Sequence, residues 1–376
     1  MKKLKLSIIL LLVFSLVACY PKTTDNNSES DNNDPDQPGE VVLTRAEEIL
    51  ATMTIEEKIG QMFFVRCNAD KALDDLAAYH FGGFILFSAN VKDLTSDELT
   101  STIASYQTAS KIGLLIGVDE EGGEVNRISN YSQYRSEPFQ SSQALYAEGG
   151  WDLITSDTKE KSDFLKNLGI NVNLAPVADV STNVTDYMYN RSFGKSATDT
   201  AEYVTTVVTT MNTSMIGSVL KHFPGYGNNI DTHNEIAVDD RSYDTFVEAD
   251  FLPFIAGIKA GVGGILVSHT IVNSMDSENP ASLSLKVHQI LRDDLGFDGV
   301  IMTDDLKMQA IRDLYGDETS AVNAVLAGND MIISTYFDVQ IPAVINAYYN
   351  GVITEDQINK SVLRILNWKL DLKIIK

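Results

Sequence analysis

Five places in this 376-residue chain put acidic or basic side chains directly behind a short apolar run. They are Val118-Asp119-Glu120-Glu121-Gly122-Gly123, Ala178-Asp179, Lys221-His222-Phe223-Pro224-Gly225, Ser268-His269 and Thr303-Asp304-Asp305. An Asp at the end of an apolar run can attack an anomeric carbon, but it then needs a partner that protonates the leaving oxygen and later deprotonates water. The usual partner is a second carboxylic acid. The alternative visible here is Asp231-Thr232-His233 in the loop that follows Lys221-His222. A neighbouring carboxylate orients an imidazole and stabilises its charged form, and histidine titrates near neutrality, so it can serve as both acid and base. Asp305 reads as a cap on the helix that follows it. For His269 a structural role and a role at the site are both open. His222, His233 and His269 could gather at one rim, yet no His-x-His or His-Glu-x-x-His spacing occurs, so no metal is expected.

Side chains this far apart in sequence meet only if the apolar runs are strands of one sheet. The candidate strands are residues 61–66, 83–88, 114–118, 172–177, 218–222, 264–268, 299–303 and 330–334. They are almost continuously apolar, as parallel strands buried on both faces must be. Helical patterns lie between them, for example over 246–260, 285–294 and 319–327, and Thr54-Ile55-Glu56-Glu57 has capping-box spacing just ahead of the first strand. Eight strands alternating with helices predict an α/β fold, a single (β/α)₈ TIM barrel, whose C-terminal strand ends would form one rim carrying all five polar clusters. A doubly wound open sheet is the runner-up. No Gly-x-Gly-x-x-Gly follows the first strand, so a dinucleotide cofactor is not expected.

The N-terminus reads differently. Lys2, Lys3 and Lys5 precede an apolar run from Ile8 to Val17, of signal-peptide length and short for a membrane span. The run ends in Leu16-Val17-Ala18-Cys19, which resembles the lipobox of bacterial lipoproteins. That resemblance implies a signal peptide over 1–18, lipidation of Cys19 and an extracytoplasmic, lipid-anchored protein. Residues 19–40 are rich in Asn, Asp, Ser and Pro with almost nothing apolar, and read as a tether; residues 41–376 read as one domain. Within that domain Cys67 is the only cysteine, so no internal disulfide can form, and its apolar surroundings suit an inert buried thiol. A formal net charge of −23 disfavours nucleic acid and any broad electrostatic contact with anionic lipid. A monomer is expected, touching a membrane only through Cys19.

Lys221–His233, KHFPGYGNNIDTH, resembles the KHFPGHGxxxxDSH signature of the family 3 β-N-acetylglucosaminidases, and GVIMTDDL at 299–306 resembles the segment carrying that family's nucleophile. Further matches keep the family's order: TIEEKIGQM at 54–62, GGFILFSAN at 82–90, VDEEGGEVNR at 118–127, LAPVADV at 174–180, NRSFG at 190–194 and PASLS at 280–284. The resemblance implies that Asp304 is the nucleophile and that His233, oriented by Asp231, is the acid/base. It also implies that Asp119, Arg127, Arg191, Lys221 and His222 hold the hydroxyls and acetamido group of a terminal β-GlcNAc, with no cofactor. The carbohydrate partner would be a peptidoglycan fragment or another glycan. Two positions depart from the family: Tyr226 stands where it has His, and Asn228-Asn229 where it has Asp-Thr. Both read as changes in loop packing and substrate fit. The chain stops at Lys376, soon after the eighth strand, which is consistent with an acid/base carried on the 223–236 loop.

Two rival functions accompany this reading. A phosphorylase of the same fold is compatible with a His acid/base, which does not repel phosphate as a carboxylate would. A non-catalytic sugar-binding lipoprotein would explain the Tyr226 and Asn228 departures, although Asp304 and His233 are both kept.

Overall fold

The computed structural model describes residues 43–229 and 237–376. The expected signal peptide, Cys19 and the tether lie outside the described residues, as do Asp231 and His233.

Eight parallel strands form the centre: β1 Phe63–Arg66, β2 Gly83–Leu86, β3 Leu115–Val118, β4 Val172–Asn173, β5 Gly217–Phe223, β6 Gly264–Val267, β7 Val300–Thr303 and β8 Ile332–Ser334. Each pairs in parallel with the next along the chain from β1 to β7, and β8 pairs with β1 (Phe63 opposite Ile332, Val65 opposite Ser334). The ring closes between β7 and β8 at the Met302–Met331 bridge, where the amide of Asp330 donates to the carbonyl of Ile301 at 2.8 Å. The sheet is therefore a TIM barrel and not the open doubly wound alternative.

All eight expected strands form; β2, β4 and β6 are shorter at their C-terminal ends, β1, β3, β7 and β8 start later than expected, and β5 is extended by a residue at each end. β4 is the shortest because Pro176 has no amide hydrogen to donate to a ladder. Beyond β4 the chain keeps touching β5, with the Val219 amide donating to the Ala175 carbonyl at 2.9 Å and a bridge at Val177–Lys221. The barrel interior is packed. A Cβ at Gly117 on β3 would come within 2.4 Å of the Phe64 ring tip, so this glycine leaves the space that an aromatic ring from β1 fills across the barrel.

Helices cover the outside. Ala197–Ser214 lays Tyr203, Val204, Val208 and Met211 against the strands, and Glu355–Asp371 buries Ile358, Val362, Ile365 and Trp368. The capping box at Thr54 is present, its side chain accepting from the amide of Glu57 while Glu57 returns a bond to the Thr54 amide. The helix expected from 319 begins at Gln309 and breaks at Gly316 (φ 71°), and those expected over 246–260 and 285–294 each contain a widened five-residue turn.

Candidate active site

The C-terminal ends of the strands surround a cavity of about 730 Å³. Asp119, Arg127, Arg191, Lys221, His222 and Asp304 all line it, so the strand-end clusters do converge. The exceptions among the clusters are Asp179 and His269, both buried behind the lining. For His269 the partners are local. Its Nδ1 lies 2.7 Å from Ser282 Oγ and its Nε2 3.2 Å from the Asp305 carbonyl, which is a structural placement.

The most deeply buried part of the wall is a chain of alternating charges. Lys221 Nζ lies 2.6 Å from both Asp119 Oδ1 and Glu121 Oε1. Arg191 meets Glu121 with two prongs, Nη2 to Oε1 at 2.7 Å and Nε to Oε2 at 3.1 Å. Burial alone would raise the Glu121 carboxyl, but Lys221 and Arg191 outweigh it and hold it at about 2. Burial likewise pulls the Lys221 ammonium down, while Asp119 and Glu121 pull it above the ordinary lysine range. The result is a set of charged donors and acceptors fixed in place before any ligand arrives, the arrangement that suits a hydroxyl-rich molecule.

Glu121 was not singled out in the sequence. It follows Glu120 in a short strand, and successive side chains there face opposite ways, so only the fold decides which acid enters the cavity. Glu120 turns the other way, and its carboxylate accepts the amides of Arg127, Ile128 and Ser129 at 2.8, 2.9 and 3.0 Å. It thereby fixes the loop that brings Arg127 to within 3.8 Å of Asp119. Asp179 is the other residue whose role emerges only in space. It is almost fully buried, it accepts from His222 Nδ1 at 2.7 Å, and it also accepts the backbone amides of His222 and Tyr226. With Nδ1 committed to Asp179, Nε2 is the ring nitrogen left to the cavity.

Asp304 leaves β7 with its amide bonded to the Val267 carbonyl at 3.0 Å, and its Oδ1 accepts the amide of Asp305 at 2.8 Å. Asp305 accepts the amide of Lys307 and the hydroxyl of Thr335, so it orders the turn after β7 and does not cap the following helix as expected; that helix starts at Gln309 with Met308 at its N-cap and no side-chain cap bond, and Asp305 instead borders the cavity. β7 and β3 are four strands apart in the ring of eight, so Asp304 stands across the barrel from Asp119, with Lys221 on β5 between them.

The two stems of the 230–236 segment are tied together by charged groups. Asn229 donates to the carbonyl of Tyr226 and to Asp239, and Arg241 bonds Asp239, Asp250 and the carbonyl of Gly225. Tyr226, the departure noted above, is buried with Val177 and Met188, edge-on to the His222 ring at 5.7 Å. Cys67 is buried beside Tyr106, and burial lifts its thiol to about 11, out of the nucleophilic range.

The sequence matches the N-terminal domain of glycosyl hydrolase family 3 over residues 54–368. It is similar to Beta-hexosaminidase A of Pseudoalteromonas piscicida, 30% identical over 325 residues that cover 79% of this chain and 54% of that protein. It is also similar to Beta-hexosaminidase of Xanthomonas campestris pv. campestris (strain B100), 32% identical over 233 residues, 61% of this chain and 69% of the relative. Among solved structures it resembles a glycoside hydrolase family 3 β-N-acetylglucosaminidase from Paenibacillus sp. str. FPU-7, with a TM-score of 0.80 and 29% identity over 86% of this chain and 63% of that one. The chain thus spans about half the length of the first of these relatives. A parallel barrel with this rim, matched along almost its whole length, belongs to glycosyl hydrolase family 3.

Proposed function

We propose that the protein is a retaining exo-β-N-acetylglucosaminidase that removes terminal GlcNAc from peptidoglycan fragments or other glycans outside the cytoplasm, anchored by a lipid at Cys19. The observation that carries this reading is the placement of Asp304 across one cavity from the buried Asp119–Lys221–Glu121–Arg191 cluster. The cluster holds the sugar hydroxyls while the Asp304 carboxylate attacks the anomeric carbon. In that step His233, oriented by Asp231, gives its proton to the glycosidic oxygen, and the aglycone leaves as an alcohol. In the second step His233 takes a proton from water, the hydroxide attacks the glycosyl–Asp304 ester, and the sugar is released with its β configuration kept. His222, fixed through Asp179, offers Nε2 to the sugar.

The test is release of nitrophenol from 4-nitrophenyl N-acetyl-β-glucosaminide and from the matching β-glucoside, by the wild type and by Asp304→Asn. Turnover of the first substrate alone, lost in a variant that unfolds like the wild type, supports the reading. Binding without turnover in the wild type would favour a non-catalytic sugar-binding protein, and a sugar phosphate as product in phosphate buffer would favour phosphorolysis.

A further inference from the structure

The cavity holds more positive charge than this acidic chain would bring to it by chance. Its lining has six basic side chains (Arg66, Arg127, Arg191, Lys221, Lys307 and Arg312) against five acidic ones, in a chain of net charge −23. Lys221 and Arg191 are neutralised by Asp119 and Glu121, and Arg312 by Asp317. Of the three that remain, Lys307 stands on the Asp304 side, and Arg66 and Arg127 share one sector. Arg66 ends β1 and lays its guanidinium 4.0 Å from the centre of the Phe87 ring, just beyond β2. The guanidinium of Arg127, from the loop after β3, lies 5.7 Å from that same ring. Two cations therefore share one aromatic ring, which helps to order them but supplies no countercharge of its own.

Their hydrogen bonding is incomplete as well. Among the described residues Arg66 has no carboxylate partner, and its guanidinium packs on the Phe87 ring. Arg127 Nε is buried without a hydrogen-bond partner, and its Nη2 stands 3.8 Å from Asp119, beyond hydrogen-bond length. A buried guanidinium nitrogen without a hydrogen-bond partner, on a ring that also carries a guanidinium without a carboxylate, is an arrangement suited to an oxyanion.

The location of that site on a bound sugar follows from the barrel. Asp304 comes from β7, whereas Arg66, Phe87 and Arg127 come from β1, β2 and the loop after β3, on the Asp119 side of the ring. With the anomeric carbon at Asp304, the parts of a pyranose farthest from it are the C4 hydroxyl and the exocyclic C6 hydroxymethyl, and of these only C6 carries its oxygen on a rotatable arm that extends beyond the ring. We infer that Arg66 and Arg127, ordered on Phe87, form a subsite for an anionic ester on C6 of the terminal sugar, so that the enzyme prefers terminal N-acetylglucosamine bearing a 6-sulfate or 6-phosphate. This inference rests on the proposed function, because it uses Asp304 to orient the sugar.

The experiment compares kcat/KM for 4-nitrophenyl N-acetyl-β-glucosaminide with that for its 6-sulfate and 6-phosphate esters, using the full chain at low and high ionic strength. We expect an ester-to-parent ratio of about tenfold or more at low salt, falling as salt screens the guanidinium pair. Arg66→Met brings the ratio to one or below, and Arg66→Lys, which keeps a charge without the planar fork, falls between. A preference shared by both esters assigns the subsite to divalent and monovalent oxyanions alike; a preference for one identifies the source. A wild-type ratio of one or less, or a ratio that Arg66→Met leaves unchanged while the variant unfolds like the wild type, overturns the inference. Turnover of the parent compound separately tests the proposed function. If the parent is not turned over, the same ratio is read from equilibrium binding of N-acetylglucosamine and its 6-sulfate, and absence of binding by both overturns both readings.

Discussion

Replacing Glu121 by Gln should damage stability and substrate handling together, and the size of the loss can be worked out. Among the described residues the Glu121 carboxylate is the one group bonded to both Lys221 and Arg191, at 2.6 and 2.7 Å, and its side chain is 4% exposed. Gln keeps the shape and one acceptor oxygen but removes the charge, leaving Arg191 buried without a carboxylate. Removing one partner of a buried pair costs about 3–5 kcal/mol. A second route agrees: a carboxyl held at about 2 instead of 4.5 corresponds to about 3 kcal/mol of folding free energy at neutral pH. The sign is that of a depressed acid. The stabilisation is fully present above pH 4.5, where the unfolded chain is also ionised, and is lost as pH falls from 4.5 toward 2. Denaturant unfolding of wild type and Glu121→Gln should therefore differ by about 3 kcal/mol from pH 5 to pH 8, with the gap closing below pH 4.5. Turnover of the N-acetylglucosaminide should fall mainly through KM, since Lys221 and Arg191 lose their alignment. Stability within 0.5 kcal/mol of wild type (roughly the scatter of surface substitutions) together with unchanged KM would refute the reasoning.

Three further outcomes are expected. His233→Ala should slow hydrolysis of poor leaving groups far more than of nitrophenol, because nitrophenolate departs without a proton; equal losses across a leaving-group series would remove His233 from the acid role. Gly117→Ala puts a methyl 2.4 Å from the Phe64 ring and should destabilise by about 1–3 kcal/mol in thermal unfolding, with Phe64→Leu in the same chain recovering part of the loss. Lys369 is fully buried on a single bond to Gln61 Oε1 at 2.6 Å, and burial lowers its ammonium to about 7. A base whose folded pKa is depressed destabilises the fold below that pKa and ceases to do so as pH rises toward the unfolded value. Lys369→Met should accordingly be more stable than wild type by about 2 kcal/mol at pH 7, with the difference shrinking toward pH 10; a difference that does not vary with pH would contradict this.

Much of the architecture was legible in the chain because burial on both faces demands unbroken apolar runs, and such runs are visible without knowing their neighbours. All eight strands, the capping box at Thr54 and the inert Cys67 follow from local composition and spacing. The polar residues at the strand ends were legible for the same reason: nothing in a buried run accounts for Asp119, Lys221 or Asp304 directly behind it. What local pattern does not contain is direction and distance. Glu120 and Glu121 are chemically alike and adjacent, yet one holds a loop and the other anchors the cavity wall, and only the pleat at that point separates them. Asp179 and His222, 43 residues apart, form one unit because β4 and β5 are neighbours in the ring. His269 stands at a strand end like the others, but its side chain turns to Ser282 and the Asp305 backbone. Arg66 and Arg127 meet over Phe87 only because β1, β2 and β3 lie side by side. The sequence by itself determined which residue types are available and that eight buried strands would carry them. The closure of the barrel alone decided which of them face one another, since charge pairing and desolvation depend on separations of a few ångströms that no one-dimensional spacing encodes.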